Sequence, residues 1–187
     1  MGKKLPQLTS ELTDFIAAQK IFFVGTAMRE GSVNVSPKGM DSFRVLSPNR
    51  AIWLNATGSG NETATHLQES NRMTVMFCTF EGKPLILRLY GKAKVYHAFD
   101  SEWNEYIGLF PPNAGVRQLF DLEIDLVQTS CGMAIPMMDY VRERDDLNNW
   151  AEKQGEQGIR KYWQEKNTKS IDGHPTGIFG NGDSLSI

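Results

Sequence analysis

Small and hydroxyl-bearing residues fill the segment Thr57-Gly58-Ser59-Gly60-Asn61-Glu62-Thr63, which follows an apolar run and precedes a helical pattern. Glycines let a backbone approach an anion closely, and hydroxyls and the free N–H groups of a helix N-terminus can donate hydrogen bonds to it. The spacing matches neither a P-loop nor a dinucleotide-binding glycine fingerprint. The segment is therefore a candidate anion-binding loop, and an ordinary capped loop is the alternative.

A hydroxyl and a cation stand together in Ser36-Pro37-Lys38-Gly39, at the end of a second predicted strand. A lysine on a loop is usually only solvated. Adjacent strand ends in a barrel can nevertheless converge on one ligand. In that case Lys38 supplies the counter-charge of a phosphate held by the first loop.

The remaining reactive side chains form no recognised constellation. None of His66, His97 and His174 stands at a metal-ligand spacing from another His, Cys or carboxylate, so no metal site is expected. Cys78 falls in a predicted buried strand, where a thiol is usually inert, whereas Cys131 could approach a ligand. No nucleophile elbow or Cys/His arrangement indicates a hydrolase, and no catalytic residue is assigned.

Short apolar runs separated by turns dominate the first 130 residues. They predict strands at 21–27, 32–36, 43–46, 51–56, 73–80, 85–96 and 120–128, with Gly91 as a bulge or bend. Helices are predicted only at the margins of this strand-rich region, at 9–19 with Thr9 or Ser10 as the cap, at 63–69 and at 100–110. Consecutive strands argue against a parallel βαβ sheet and favour an antiparallel barrel or sandwich.

The pattern changes after residue 130. A connector and the mixed-charge run 142–146 lead into two short predicted helices separated by Gly155 and Gly158. Residues 170–177 are expected to form a polar tail, and 180–187 to be frayed. We divide the chain into a barrel at 1–130 and, in the same domain, a C-terminal helical extension with a polar tail at 131–187.

Composition limits the function. The chain has 187 residues with 20 Lys and Arg against 22 Asp and Glu, a net charge of −2, which argues against a nucleic-acid partner. No apolar run is long enough to span a membrane, and no signal peptide is recognised. With only two cysteines, we expect a cytoplasmic protein.

Several of these segments together resemble the pyridoxamine 5′-phosphate oxidase-related FMN-binding proteins. The resemblance covers about residues 10–130, and it is carried by the order and spacing of five motifs. They are 22–27, Val33-Asn34-Val35-Ser36-Pro37-Lys38-Gly39, Ala51-Ile52-Trp53-Leu54-Asn55-Ala56-Thr57-Gly58-Ser59, Asn71-Arg72-Met73-Thr74-Val75 and Gly91-Lys92-Ala93.

This resemblance implies a mainly β fold, an antiparallel split β-barrel with peripheral helices. It also implies a homodimer with one FMN in each of two grooves between subunits. Six aromatic residues in the predicted helices give the dimer weak additional support, although packing on the chain's own barrel also explains them. They are Trp103, Tyr106, Phe110, Trp150, Tyr162 and Trp163.

By the same resemblance, eight residues would contact the cofactor. Ser36 and Lys38 would lie near the ring or phosphate, and 55–57 along the ring edge and ribityl chain. The phosphate would meet residues of the glycine-containing loop. The full set is Ser36, Lys38, Asn55, Ala56, Thr57, Ser59, Asn61 and Thr63.

Two departures from the oxidase bear on the activity. The phosphate loop has Ser59-Gly60-Asn61 where the oxidase carries Ser-Arg-Lys, so Lys38, Arg88, Arg72 or N–H groups alone must meet the phosphate. The tail also lacks the oxidase's Arg-x-His segment, which argues against pyridoxamine phosphate oxidation. We expect an FMN-dependent oxidoreductase acting on an unidentified small molecule, with NAD(P)H as a transient visitor. A non-catalytic flavin- or haem-binding protein and an F420-dependent reductase are the alternatives.

Overall fold

The computed structural model describes residues 2–180, and within them an antiparallel sheet of eight strands carries four helices at its margins. The strands are β1 (Lys4–Leu5), β2 (Phe22–Thr26), β3 (Asn34–Lys38), β4 (Phe43–Ser47), β5 (Arg50–Ala56), β6 (Arg72–Cys78), β7 (Ile86–Tyr96) and β8 (Val116–Ser130). The helices are α1 (Ser10–Ala18), α2 (Glu62–Glu69), α3 (Ser101–Tyr106) and α4 (Asp146–Lys166). A single 3-10 turn, Ile107–Leu109, follows α3.

The order of the strands defines a split barrel. Neighbours run β3-β2-β6-β7-β8-β5-β4, and β1 pairs with β8. β3 and β4 are the two edges, yet the sheet curls so that Phe22 of β2 meets Phe43 of β4 with ring centroids 5.0 Å apart. The fold predicted from the sequence is confirmed.

The core of the barrel explains why so many of the strand sequences are apolar. Trp53 of β5 stacks on Phe120 of β8 at 4.4 Å, and helix α1 covers one end of the barrel with Leu12 and Ile16. The α1 cap is as predicted, because the Leu12 N–H donates to Thr9 Oγ1 over 3.3 Å.

β5 is buried on both faces, since its second face packs on the segment that follows β7. Ile52 and Leu54 there contact Tyr106 and Phe110, which form a second core with Leu119. Packing within the chain therefore accounts for two of the six aromatics offered as support for a dimer.

The structure refines three sequence predictions. β3 extends to Lys38, so Pro37 lies within an edge strand, where its missing N–H is tolerated. β8 begins at Val116, four residues before the predicted strand. A bulge does lie at Gly91, because Tyr90 pairs with Leu126 and Gly91 with Ile124, which leaves an extra residue in β8. The strands are so close there that a Cβ on Gly91 would lie 1.9 Å from the Glu123 carbonyl oxygen.

The C-terminal region folds onto the barrel. α4 breaks at Gly155, whose φ of 63° and ψ of 176° are non-helical, so two helices meet there as predicted. The expectation of fraying at the chain end concerns residues 181–187, which lie outside the described residues. Within residues 2–180, no helix has the length and apolar character needed to cross a membrane.

Candidate functional site

A cavity of about 850 Å³ opens where β3 and β5 end and α2 begins. Its wall includes all eight residues predicted to contact a cofactor: Ser36, Lys38, Asn55, Ala56, Thr57, Ser59, Asn61 and Thr63. The two loops singled out in the sequence therefore face one space. Whether these residues bind a cofactor stays a prediction.

Hydrogen bonds from one side chain, Asn34, join the two loops. The Asn34 side-chain Nδ2 donates to Ser36 Oγ over 3.2 Å and to Thr63 Oγ1 over 3.3 Å. Ser36 lies on β3 and Thr63 in the first turn of α2. The hydroxyls that could donate to an anion are thus held beside each other.

Asn61 is the most unusual residue of the glycine-containing loop. It precedes α2 and is only 2% exposed, but its side chain does not cap the helix. Neither its Nδ2 nor its Oδ1 has a hydrogen-bond partner. Buried amides are normally paired, so this side chain is positioned for a ligand that completes its bonding.

Two cations also face the cavity. Lys38 is half-buried and Arg117 is 5% exposed, and neither forms a salt bridge with a carboxylate within residues 2–180. Burial and the neighbouring Arg117 lower the pKa of Lys38 to about 8. Burial likewise lowers the pKa of Arg117 to about 10. An anion placed between these groups would reverse both shifts.

The counter-cation of the cavity is therefore not one of the arginines named from the sequence. Arg72 is exposed and bonds Ser70 Oγ, and Arg88 bonds Ser130 Oγ on β8, so neither lines the cavity. Arg117 takes that place because of a register shift. Asn55 pairs with Gln118 and Ala56 with Val116, which leaves Arg117 as an extra residue in β8.

Sequence reasoning missed Arg117 because a bulge leaves no local signature. The one available signal was a pair of polar residues, Arg117-Gln118, directly before the apolar run Leu119-Phe120. The predicted strand began only at residue 120, so this pair was not assigned to a strand end. The Nε of Arg117 is buried without a partner, which adds a second unmet donor to the cavity wall.

Asn167, the residue that follows α4, anchors Arg117. Arg117 Nη1 donates to Asn167 Oδ1 over 2.8 Å, and Asn167 Nδ2 donates to the Gly58 carbonyl over 2.9 Å. Trp163 Nε1 donates to Thr57 Oγ1 over 2.9 Å. The helical extension thus fixes both the glycine-containing loop and the buried guanidinium.

The segment expected to be a polar tail lies on the rim of the cavity. The Ile171 N–H donates to both carboxylate oxygens of Glu62 at 3.1 Å. Asp172 accepts from the Ser32 N–H over 2.8 Å and from its hydroxyl over 2.9 Å. Two carboxylates therefore tie the segment across the opening, at α2 on one side and before β3 on the other.

The histidines take part in packing contacts. His66 is buried, lines the cavity and places Nδ1 3.0 Å from Thr26 Oγ1. His97 is buried behind the cavity. Across residues 2–180, no three His, Cys, Asp or Glu side chains are grouped to hold a metal ion. Cys78 is buried as predicted, and Cys131 is exposed and away from the cavity.

Chemically, the cavity is suited to a phosphate-bearing ligand with a polar chain and a flat apolar-polar ring. It offers two uncompensated cations, hydroxyls, an unpartnered amide and the N-terminus of α2. Its volume falls in the range of cofactor pockets.

The fold and the cavity define the class of protein: a split β-barrel with a cavity at its strand ends that Lys38 and Arg117 line. The sequence model of pyridoxamine 5′-phosphate oxidase matches residues 8–131. A relative from Aspergillus flavus, the pyridoxamine 5′-phosphate oxidase family protein ustO, is 36% identical over 186 residues, which cover 90% of this chain and 75% of that protein. The chain belongs to the pyridoxamine 5′-phosphate oxidase family, as the sequence resemblance indicated.

Solved structures agree on the fold. A HupZ variant from Group A Streptococcus superimposes with a TM-score of 0.52 at 17% identity, covering 65% of this chain and 98% of that one. A candidate pyridoxamine 5′-phosphate oxidase from Lactobacillus delbrueckii gives 0.50 at 20% identity, covering 66% and 94%. At such identities the likeness concerns the barrel alone.

Proposed function

We propose that this protein binds FMN in the cavity and is an oxidoreductase acting on a small molecule. The observation that carries the proposal is the pair of cations, half-buried Lys38 and buried Arg117, that face one cavity without a carboxylate partner within residues 2–180. Burying uncompensated charge lowers stability, so a site of this kind is expected to be filled by an anion.

The phosphate group of FMN matches the cationic part of the wall. Arg117 would hold it together with Ser59, Asn61 and Thr63, and Lys38 adds the second positive charge. The N-terminus of α2 contributes free N–H groups at the same place. A neutral isoalloxazine and ribityl chain would then extend along Ser36 and residues 55–57.

Bound FMN would supply the electron or hydride transfer, and the chain's own residues supply binding, orientation and exclusion of water. The hydrogen bonds among Ser32, Glu62, Ile171 and Asp172 would hold the C-terminal segment at the mouth of the cavity. The pyridoxamine phosphate reaction is not part of the proposal, because the tail offers Asp172-Gly173-His174 and no arginine.

We also propose that the active form is a homodimer with the cavity between subunits. Val33 and Ile171 line the cavity while 74% and 78% exposed, and Val35 on the edge strand β3 is 64% exposed. Large apolar side chains grouped at the mouth of a polar cavity are typical of a surface that a partner covers. Analytical ultracentrifugation of the wild type and Val35→Lys tests this, with dissociation expected in the variant.

The primary experiment is an absorption spectrum of the purified protein, followed by mass identification of the released chromophore. FMN is expected. Titrations of the stripped protein with FMN and riboflavin then measure the contribution of the phosphate. The double variant Lys38→Ala and Ser59→Ala should lose FMN, whereas Lys94→Ala, an exposed cation on β7, should retain it.

Two results would contradict the proposal. A folded, colourless protein that binds no added FMN refutes the cofactor, and binding of F420 or haem in its place identifies another ligand. FMN that binds but is neither reduced by NAD(P)H nor reoxidised by oxygen or an added acceptor refutes the oxidoreductase and leaves a flavin-binding protein.

A further inference from the structure

A row of buried polar side chains leads from the cavity into the protein. Lys38 Nζ donates to Asn55 Oδ1 over 3.2 Å, and Asn55 Nδ2 donates to Gln118 Oε1 over 3.2 Å. Gln118 Nε2 in turn lies 3.2 Å from His97 Nε2. Asn55, Gln118 and His97 are 3%, 0% and 8% exposed. We call these four residues the polar row.

The lysine at one end of the polar row fixes the direction of every hydrogen bond in it. A lysine ammonium has donors only, so it must face the carbonyl oxygen of Asn55. The Asn55 NH₂ then faces the Gln118 oxygen, and the Gln118 NH₂ faces His97. His97 Nε2 must therefore accept, which requires a neutral imidazole with its proton on Nδ1.

The surroundings of His97 agree with a neutral ring. Burial lowers the pKa of His97, and Arg117 acts in the same direction. The opposing influence is Asp100, whose Oδ2 lies 3.6 Å from His97 Nδ1 and accepts the backbone N–H of His97 over 2.7 Å. The ring also stacks on Phe99, with centroids 4.9 Å apart.

We propose that His97 is a positioning residue for the cavity: its Nε2 lone pair, acting through Gln118 and Asn55, holds the Asn55 carbonyl oxygen toward Lys38. If His97 became protonated, Nε2 would donate, and both amides would have to reverse. The Asn55 NH₂ would then face the Lys38 ammonium, donor against donor. A charged His97 and the present Lys38 geometry therefore exclude each other without a broken bond.

The first test needs no variant and no cofactor. Two-dimensional NMR of the apo protein labelled with ¹⁵N-histidine distinguishes the two ring nitrogens. At neutral pH we expect His97 to carry its proton on Nδ1, with an unprotonated Nε2. A proton on Nε2, or a charged ring, would overturn the proposal.

The second test rests on the proposed function, because it reads the effect at bound FMN. His97→Leu removes the acceptor, strands the Gln118 NH₂ and should weaken FMN binding about tenfold, equal to about 1.4 kcal/mol. His97→Gln offers an amide oxygen at the same end and should restore most of the affinity. Phe99→Leu removes the stacking partner but no bond of the row, so it should bind FMN like the wild type.

These outcomes separate the two proposals. Equal FMN affinity in folded His97→Leu and His97→Gln would overturn the positioning role. So would an equal loss in Phe99→Leu, since packing alone would then explain the effect. A wild-type protein that binds no FMN refutes the proposed function, and the NMR result still decides the direction of the polar row.

Discussion

Asn167→Asp replaces one side-chain nitrogen with oxygen and should reduce the preference of the cavity for FMN over riboflavin, which lacks the phosphate. Asn167 is fully buried, and its Oδ1 already accepts from Arg117 Nη1 over 2.8 Å. A carboxylate there keeps that contact and turns it into an ion pair. The donor to the Gly58 carbonyl becomes a carboxylate oxygen, so this carbonyl must turn away toward water, which is possible because Gly58 is exposed.

The magnitude follows from what the ion pair takes away. Arg117 would be neutralised by its own anchor, so its hydrogen bond to a bound phosphate would no longer be the charge-assisted bond of an unpaired cation. Such bonds contribute about 1.5–3 kcal/mol, which corresponds to a loss of about 10- to 150-fold in FMN affinity. Riboflavin lacks the phosphate, so its affinity should change by no more than about threefold.

Titration calorimetry of the stripped proteins with FMN and riboflavin measures both numbers. Asn149→Asp is the matched control, because it makes the same charge change at an exposed position of α4. It should bind both ligands like the wild type. Equal losses for FMN and riboflavin in Asn167→Asp, or no loss for either, would refute the assignment of Arg117 as the phosphate cation.

Three further predictions concern charge and packing. FMN affinity should fall as the pH rises through about 8, where half-buried Lys38 loses its proton. The free energy of unfolding of the apo protein should rise between that pH and the ordinary pKa of lysine, because the unfolded chain then binds more protons than the folded one. Calorimetry and urea unfolding on both sides of pH 8 check the two trends, which Lys38→Met should abolish. Asp121→Asn should lower the free energy of unfolding by about 2–3 kcal/mol, because Asp121 accepts two hydrogen bonds from Arg50, at 2.9 and 2.7 Å. Urea unfolding measures this loss, and an unchanged midpoint would contradict the reasoning. Gly91→Ala should lower the free energy of unfolding by about 3 kcal/mol, because its Cβ would lie 1.9 Å from a β8 carbonyl oxygen. Gly108→Ala has open space around its Cβ and should be nearly neutral; thermal melts compare the two variants.

The fold was predictable because its determinants are local. Hydrophobic alternation, turns at short intervals and strands that do not alternate regularly with helices indicated an antiparallel barrel before any pairing was known. The α1 cap at Thr9 and the bulge at Gly91 were likewise legible from single residues and their neighbours. Strand boundaries shifted by a few residues, since ladder pairing extends β8 beyond the apolar run that marks it.

The cavity was only half predictable, because its second half is built from distant residues. Both loops carry local signatures, and they do line one space. Arg117 and Asn167 stand 50 residues apart in the chain, and Asn167 reaches Gly58 across 109 residues. No sequence periodicity marks Arg117, which faces the cavity because of a register shift. None marks Asn167 either, whose side chain follows α4 and contacts a distant loop.

The cost of the cavity to the apo protein is itself an argument for a resident anion. Burial lowers the pKa of both Lys38 and Arg117, the charge of Arg117 lowers that of Lys38 further, and Asn61 and the Arg117 Nε are buried without partners. Sequences are otherwise locally consistent with their folds, and such conflicts concentrate at functional sites. A ligand that binds only the folded chain adds RT ln(1 + [L]/Kd) to its stability, so an anion would relieve the charge conflict and stabilise the barrel together. In the part of the chain that the structure describes, three of the four unpartnered buried atoms outside Trp53 belong to Asn61 and Arg117, which line one cavity together with Lys38. This grouping of unmet charge and unpaired polar atoms favours ligand binding over imperfect packing as the explanation.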